Sequence, residues 1–121
     1  MVKMAGQPHY NLAEIQGLVA LGAVEPANRS VYVELKKLDW TIGTLTQFIL
    51  LLTTQNFHKA YPQMSIYNGR ELLDADGYKM PFDEKRLCKG TEVDCVFFIK
   101  IGIRTKPSGG CAAVVSVHLD R

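Results

Sequence analysis

The chain has 121 residues, of which 47% are apolar and 21% are charged, and its formal net charge is +2. This length is typical of one domain, and the apolar fraction is too high for a disordered chain. We therefore expect a single domain, residues 1–121, with a hydrophobic core that needs no disulfide or metal to hold it. The small net charge does not by itself indicate a nucleic-acid partner.

The cysteines and the N-terminal segment indicate the cellular compartment. Cys88, Cys95 and Cys111 are an odd set without metal-ligand spacing to the histidines, which is typical of a reducing environment. Residues 1–10 lack the apolar stretch of a signal peptide, and the longest apolar run, residues 48–52, is too short to span a bilayer. We expect a cytoplasmic protein with no metal site and no membrane association.

The first half of the chain predicts helices. Asn11 is a candidate N-cap for a helix over residues 12–21, in which apolar residues recur at helical spacing. Residues 30–38 fit either a strand or a short helix, and they stay unassigned. Thr41 is a candidate cap for a further helix, whose apolar stripe is wide enough to pack under a sheet.

A short additional helix is predicted after Thr53. Phe57 and Tyr61 lie four residues apart, as on one helix face, and Pro62 blocks continuation. This interpretation places Lys59 near a helix end.

The second half predicts an antiparallel sheet. The dipeptides Asn68-Gly69 and Asp76-Gly77 are expected to be turns between short β-compatible runs. Two strands near the C-terminus alternate at period two, and their predicted core-facing residues are Val93, Cys95, Phe97, Ile99, Ile101 and Ile103 in one and Ala113, Val115, Val117 and Leu119 in the other. The expected fold class is therefore α+β, with N-terminal helices packed on a C-terminal antiparallel sheet.

The opposite face of these two strands is basic. A hairpin register that buries both apolar sets places His118 on the same face as Phe98, Lys100 and Arg104. Cations and an aromatic ring suit RNA, because cations bind phosphates and a ring can stack an unpaired base. Arg121 adds to the basic end of the chain and is a further candidate for RNA contact. The plainer alternative is a solvated sheet face.

The same residue types suit RNA cleavage. Without a metal, that reaction needs a base for the ribose 2′-OH, a cation for the pentavalent phosphate and an acid for the departing 5′-oxygen. His118, Lys59 and either Lys100 or Arg104 are the candidates for these roles.

Several short motifs occur in an order that resembles a known family. They are Pro8-His9 before the first helix, Gly22-Ala23-Val24, Asn56-Phe57-His58-Lys59, Asp76-Gly77-Tyr78, the strand from residue 96 to residue 101, and Val115-Ser116. Over about residues 8–119 the chain resembles the MqsR (motility quorum-sensing regulator) family of toxins from toxin–antitoxin systems, which have a RelE-like fold.

That resemblance implies an mRNA interferase, an endoribonuclease that works without metal or cofactor, and a cognate antitoxin as protein partner. Lys59 falls on a lysine that the family uses for cleavage, and Tyr78 falls on the tyrosine of its aspartate-x-tyrosine motif. The resemblance therefore makes Lys59 and Tyr78 catalytic candidates beside His118. Phe98 stands where the family has an active-site tyrosine, His118 stands where it has a last-strand lysine, and Ala75 lies near its glutamine.

Two alternatives to an enzyme stay open. The chain can be a catalytically inactive RNA-binding module of the same fold. It can also be a protein-interaction subunit that uses the sheet face or an edge strand. The oligomeric state is not predicted.

Overall fold

The structure, a computed structural model, describes residues 6–120. The helices are α1 (Leu12–Ala20), α2 (Arg29–Leu38) and α3 (Ile42–Leu51), and the strands are β1 (Val24–Pro26), β2 (Phe57–Ile66), β3 (Glu71–Asp83), β4 (Cys88–Lys89), β5 (Val96–Lys106) and β6 (Gly109–Asp120). The strand order is β1-β6-β5-β3-β2, with β4 paired to the end of β3. The pairs are antiparallel except for β1 with β6, which is parallel. The predicted α+β class, with N-terminal helices on a mostly antiparallel sheet, is confirmed.

Helices α1 and α3 begin at the predicted caps. Asn11 Oδ1 accepts a hydrogen bond from the Ala13 amide at 2.9 Å, and Thr41 Oγ1 accepts one from the Thr44 amide at 3.1 Å. The unassigned residues 30–38 belong to α2, in which Val31 and Leu35 are buried one turn apart. These local signals therefore located α1 and α3 within one or two residues, whereas they leave the segment of α2 open between a strand and a helix.

The predicted short helix at Phe57 and Tyr61 is wrong. A single 3-10 turn, Thr54–Asn56, leads directly into β2, which pairs with β3. Phe57 packs edge-on against Tyr78 on the helix side of the sheet, whereas Tyr61 packs against Phe98 on the other side. Pro62 is tolerated because β2 is an edge strand. Lys59 consequently lies on a strand.

The predicted turn at Asp76-Gly77 is also wrong, because both residues lie in the middle of β3. A Cβ atom on Gly77 would lie 2.7 Å from Cε2 of Tyr61 and 3.1 Å from Cζ of Phe98. Glycine is therefore required at this strand position so that two aromatic rings can lie against the backbone. The predicted Asn68-Gly69 turn is confirmed between β2 and β3.

The last two strands form the predicted hairpin, with two corrections. The first strand begins at Val96, and Val93 and Cys95 are exposed in the preceding loop, so their predicted core position is wrong. A β-bulge then interrupts β6, since Lys100 pairs with Ser116 while Ile101 pairs with Val114.

The extra residue at the bulge is Val115, and it reverses the alternation of the strand. Val117 packs with the helix-side core as predicted, whereas Ala113 and Val115 pack on the opposite face. The predicted placement of Ala113 and Val115 in the main core is therefore wrong.

The two faces of the sheet are covered differently. All three helices pack on one face, around the rings of Trp40, Phe48, Phe82 and Phe97. The other face buries the ring of Phe98 and a small cluster of Ala27, Ile66, Ala75, Ala113 and Val115, which includes no helix residue among those the structure describes. Within residues 6–120, no helix is both long and apolar enough to cross a membrane.

Candidate functional site

Seven side chains from four strands form what we call the aromatic–lysine cluster, on the sheet face away from the helices. Its members are His58, Lys59, Tyr61, Lys79, Phe98, Lys100 and His118. Strand register assembles it, because Phe98 on β5 lies directly opposite His118 on β6 and Lys79 on β3. The predicted common face for Phe98, Lys100 and His118 is confirmed.

Phe98 is the centre of this cluster. Its ring centroid lies 5.1 Å from that of His118, 5.7 Å from that of His58 and 6.1 Å from that of Tyr61. Only 5% of the residue is exposed. Phe98 therefore supports the surrounding side chains, and its predicted role as a platform for an unpaired base is wrong because its ring is covered.

The three lysines of the cluster lie close to its aromatic rings. Lys100 Nζ lies 4.2 Å from the ring centroid of Tyr61 and 5.8 Å from that of Phe98, and Lys59 Nζ lies 5.5 Å from the ring of Tyr61. Lys79 Nζ lies 5.7 Å from the ring of Phe98 and 3.4 Å from a carboxylate oxygen of Asp120. Cation–π contacts of this kind hold an ammonium group in place without neutralising it.

The charge of two of these lysines is not compensated. Among residues 6–120, the carboxylates form ion pairs with Lys79, Lys106, Arg86, Arg104 and His9, and none lies within 4.0 Å of Lys59 or Lys100 Nζ. Lys59 is exposed and Lys100 is half-buried. These two ammonium groups therefore present positive charge to an anionic ligand.

His118 is held in a defined orientation. Its Nδ1 lies 3.1 Å from the carbonyl oxygen of Leu119, and a carbonyl can only accept, so Nδ1 carries the hydrogen. In the neutral ring the lone pair is then on Nε2. His118 is half-buried, so it is not sealed in the core.

Lys59 and His118 share the face but do not lie side by side. Lys59 is on edge strand β2 and His118 is on β6, with β3 and β5 between them. Three interstrand spacings of ~4.8 Å separate their backbones by roughly 14 Å. The expectation that both side chains meet at one phosphodiester is therefore not supported by the register.

His58, Tyr61 and Lys79 belong to the cluster although they are not predicted from the sequence. A β-bulge between Phe57 and Lys59 leaves His58 unpaired in β2, which turns its ring towards Phe98. Alternation along β3 indicates that Lys79 lies on this face, but only if Asp76-Gly77 is part of the strand. The predicted turn at that dipeptide hid this signal. No simple periodicity in the sequence indicates a bulge at His58.

Arg104 has a different environment from the lysines. It forms a two-pronged contact with Glu71, at 2.7 Å from Nη2 to Oε1 and 3.1 Å from Nε to Oε2, and its guanidinium carbon lies 4.7 Å from the ring centroid of Tyr67. The hydrogen bonds from Arg104 hold the pKa of Glu71 below its usual range. Arg104 is therefore compensated, and Arg121 lies outside the described residues.

Tyr78 is not brought to the aromatic–lysine cluster. It pairs with Ile99 and packs into the helix-side core, where only 1% of it is exposed. Burial, followed by the charge of Asp76, raises the pKa of Tyr78 to about 12. It lies at the edge of a cleft of about 550 Å³ that is also lined by His9, Tyr10 and Phe57.

Comparisons of the chain with protein-family models, with curated proteins and with solved structures gave no match.

Proposed function

We propose that the protein is an MqsR-like toxin, a metal-independent endoribonuclease that binds mRNA on the aromatic–lysine cluster. The observation that carries this proposal is the pair of uncompensated ammonium groups of Lys59 and Lys100 on a sheet face that also presents His118. Phosphate groups bind such cations, and the resulting affinity depends on salt. The cluster extends over four strands on the face away from the helices, and this breadth suits a single-stranded polyanion better than a small molecule.

The cluster supplies residue types that the reaction requires. Nε2 of His118 can accept a proton from a ribose 2′-OH, since Nδ1 is occupied by the Leu119 carbonyl. Lys100, the lysine held closest to an aromatic ring, is suited to stabilise negative charge on the pentavalent phosphate. Lys59, on edge strand β2 beyond β3, is suited to a flanking phosphate. The expected products are a 2′,3′-cyclic phosphate and a 5′-hydroxyl.

The family resemblance supports the same proposal. The order of helices followed by an antiparallel sheet is compatible with the RelE-like fold that the resemblance implies. Lys59 falls on a lysine that the family uses for cleavage, and in this chain it lies on the open face. A cognate antitoxin is the proposed protein partner.

The test is cleavage of a long RNA by the purified protein in EDTA, with the fragment ends mapped and their chemistry determined. We expect discrete new ends carrying 2′,3′-cyclic phosphate, and we expect them to disappear with the Lys59→Ala, His118→Ala double variant. Lys85→Ala is the matched control, because Lys85 is exposed in the turn after β3 and lies outside the cluster. An absence of cleavage by the wild-type protein, or undiminished cleavage by the double variant, contradicts the proposal.

A second candidate function is RNA binding without cleavage. It is favoured by two substitutions, because Phe98 has no hydroxyl where the family has tyrosine and Ala75 is buried in the small cluster where the family has glutamine. Salt-dependent binding of RNA without new ends would identify this function.

A further inference from the structure

Two histidines lie on either side of one aromatic ring. His118 approaches Phe98 from β6 with ring centroids 5.1 Å apart, and His58 approaches it from β2 with ring centroids 5.7 Å apart. The two imidazoles therefore lie no farther apart than the sum of these distances. His58 is exposed and His118 is half-buried, so both rings border the open face.

This spacing suits two groups that act on opposite sides of one phosphodiester. In an in-line displacement the attacking 2′-oxygen and the departing 5′-oxygen lie on opposite sides of phosphorus. The base and the acid each lie at hydrogen-bond distance, about 3 Å, from one of those two oxygens. The distance between base and acid is therefore two hydrogen bonds plus the width of the phosphate group. Lys59 lies over the ring of Tyr61, 5.5 Å from its centroid, and so does not share with His118 the contact to one ring that brings the two histidines together.

The hydrogen bonds of the two rings distinguish their roles. Nδ1 of His118 donates to the Leu119 carbonyl, which leaves Nε2 as the acceptor of the neutral ring. The ring of His58 makes no hydrogen bond or ion pair among residues 6–120, so either of its nitrogens can carry and deliver a proton. Histidine is the residue type that exchanges a proton near neutral pH.

Charged groups around the two rings are mostly cationic. Lys79 lies opposite Phe98 on β3, with Asp120 at 3.4 Å from its ammonium group, and Lys100 lies over the rings of Phe98 and Tyr61. Lys59 is next to His58 in sequence and lies over Tyr61. A phosphate bound between the two histidines would therefore lie in positively charged surroundings, with Lys79 and Lys100 Nζ at 5.7 and 5.8 Å from the centroid of the same Phe98 ring.

We propose that His118 is the general base and His58 the general acid of RNA cleavage; this inference rests on the proposed function and adds His58 to the site. Nε2 of neutral His118 removes the proton of the 2′-OH, and the 2′-oxygen forms a bond to phosphorus. The bond from phosphorus to the 5′-oxygen breaks, and that oxygen takes a proton from the imidazolium of His58. The step yields a 2′,3′-cyclic phosphate and a 5′-OH, and both histidines return to their starting protonation by exchange with water.

The experiment compares the His58→Gln and His118→Gln variants with wild type and with Lys85→Ala in EDTA. Single-turnover cleavage of an RNA oligonucleotide is measured from pH 5 to 9, and RNA affinity and melting temperature are measured in parallel. We expect each glutamine variant to cleave about 100-fold or more slowly with its RNA affinity and melting temperature little changed. The acid limb of the pH profile should be lost in His118→Gln and the alkaline limb in His58→Gln.

A second substrate tests whether His58 is the general acid. RNA with sulfur in place of the 5′-bridging oxygen has a leaving group that needs no proton, so it should restore cleavage by His58→Gln and not by His118→Gln.

The remaining outcomes each contradict one part of the proposal: the acid, the base or the ribonuclease activity itself. If His58→Gln cleaves like wild type, or stays slow on the sulfur substrate, His58 is not the acid while the ribonuclease proposal stands. If His118→Gln cleaves like wild type, the base is wrongly assigned. If wild type does not cleave, both proposals fail.

Discussion

Nδ1 of His9 lies 3.0 Å from Oδ1 of Asp76, a carboxylate with no solvent exposure in the middle of β3. The same carboxylate accepts hydrogen bonds from the backbone amides of His9 at 2.8 Å and Tyr10 at 3.0 Å. One buried side chain therefore fastens the segment before α1 to the centre of the sheet. This contact explains why an aspartate is found inside a strand, where a turn is expected from the Asp-Gly dipeptide.

Replacing Asp76 should destabilise the protein strongly. Asp76→Ala removes the acceptor of three donors, and each hydrogen bond to a charged group contributes about 1.5–3 kcal/mol. We expect a loss of about 3 kcal/mol or more in the free energy of unfolding, measured by urea denaturation. Glu92→Ala, at an exposed carboxylate, is the control. A loss under about 1 kcal/mol for Asp76→Ala would contradict this role.

Adding one methyl group at Gly77 should disturb the aromatic–lysine cluster. The new Cβ would meet the rings of Tyr61 and Phe98 at 2.7 and 3.1 Å, so Gly77→Ala should cost about 1–3 kcal/mol of stability and weaken RNA binding. Gly17→Ala is the matched control, because Gly17 lies inside α1 with no atom within 4 Å of the added group. That change should stabilise by about 0.5–1 kcal/mol. Equal effects of the two substitutions would show that ring packing at Gly77 is unimportant.

Removing the hydroxyl of Ser116 should not destabilise the protein. Ser116 Oγ is buried without a hydrogen-bond partner in residues 6–120, and an unsatisfied buried polar group is costly. Ser116→Ala should leave the melting temperature unchanged or raise it. Thr41→Ala also removes a hydroxyl, but that hydroxyl caps α3, so a loss of about 1 kcal/mol is expected. A clear decrease for Ser116→Ala would indicate a partner for the hydroxyl.

The salt dependence of RNA affinity should show that Lys100 contacts a phosphate and that Arg104 contributes less. Each phosphate contact on single-stranded RNA contributes a slope of about −0.7 in log K against log salt. Lys100→Met should reduce the slope by roughly that amount, whereas Arg104→Met should change it less because Glu71 already compensates the guanidinium. Fluorescence anisotropy with a labelled RNA across a salt series measures both. The interpretation fails if Arg104→Met has the larger effect.

Acid should weaken the protein partly through Glu25. Burial raises the pKa of Glu25, but hydrogen bonds from Tyr67, Lys106 and Cys111 together lower it below the ordinary 4.5. The unfolded chain therefore binds a proton at higher pH than the folded protein does. The contribution of Glu25 to stability is present above pH 4.5 and is lost as the pH falls through the folded-state pKa.

The measurement is urea denaturation of wild type and Glu25→Gln from pH 7 to pH 3. The difference in unfolding free energy should shrink as the pH falls. A difference that is constant over this range would exclude a linkage through Glu25.

The local sequence was sufficient for the helices and for part of the sheet. Asn11 and Thr41 cap helices by contacts within three residues, so their roles can be predicted without the tertiary structure. The common face of Phe98 and His118 also followed from alternation, because on this stretch both strands bury one face. These features explain why the fold class and the common face of Phe98, Lys100 and His118 were predicted.

The remaining features depend on partners distant in the chain. The bulges at His58 and Val115 shift the side-chain alternation of their strands, and a bulge depends on the pairing of two strands. Gly77 is in a strand because the rings of Tyr61 and Phe98 cover it, although its dipeptide is typical of a turn. The amino-acid sequence by itself determined the α+β class, the starts of α1 and α3 and the basic character of one sheet face. Only the tertiary structure decided that His58 joins that face, that Tyr78 does not, and that Arg104 on the same face is compensated by Glu71. The physical reason is that register sets side-chain direction in a strand, and contacts across the sheet set charge compensation.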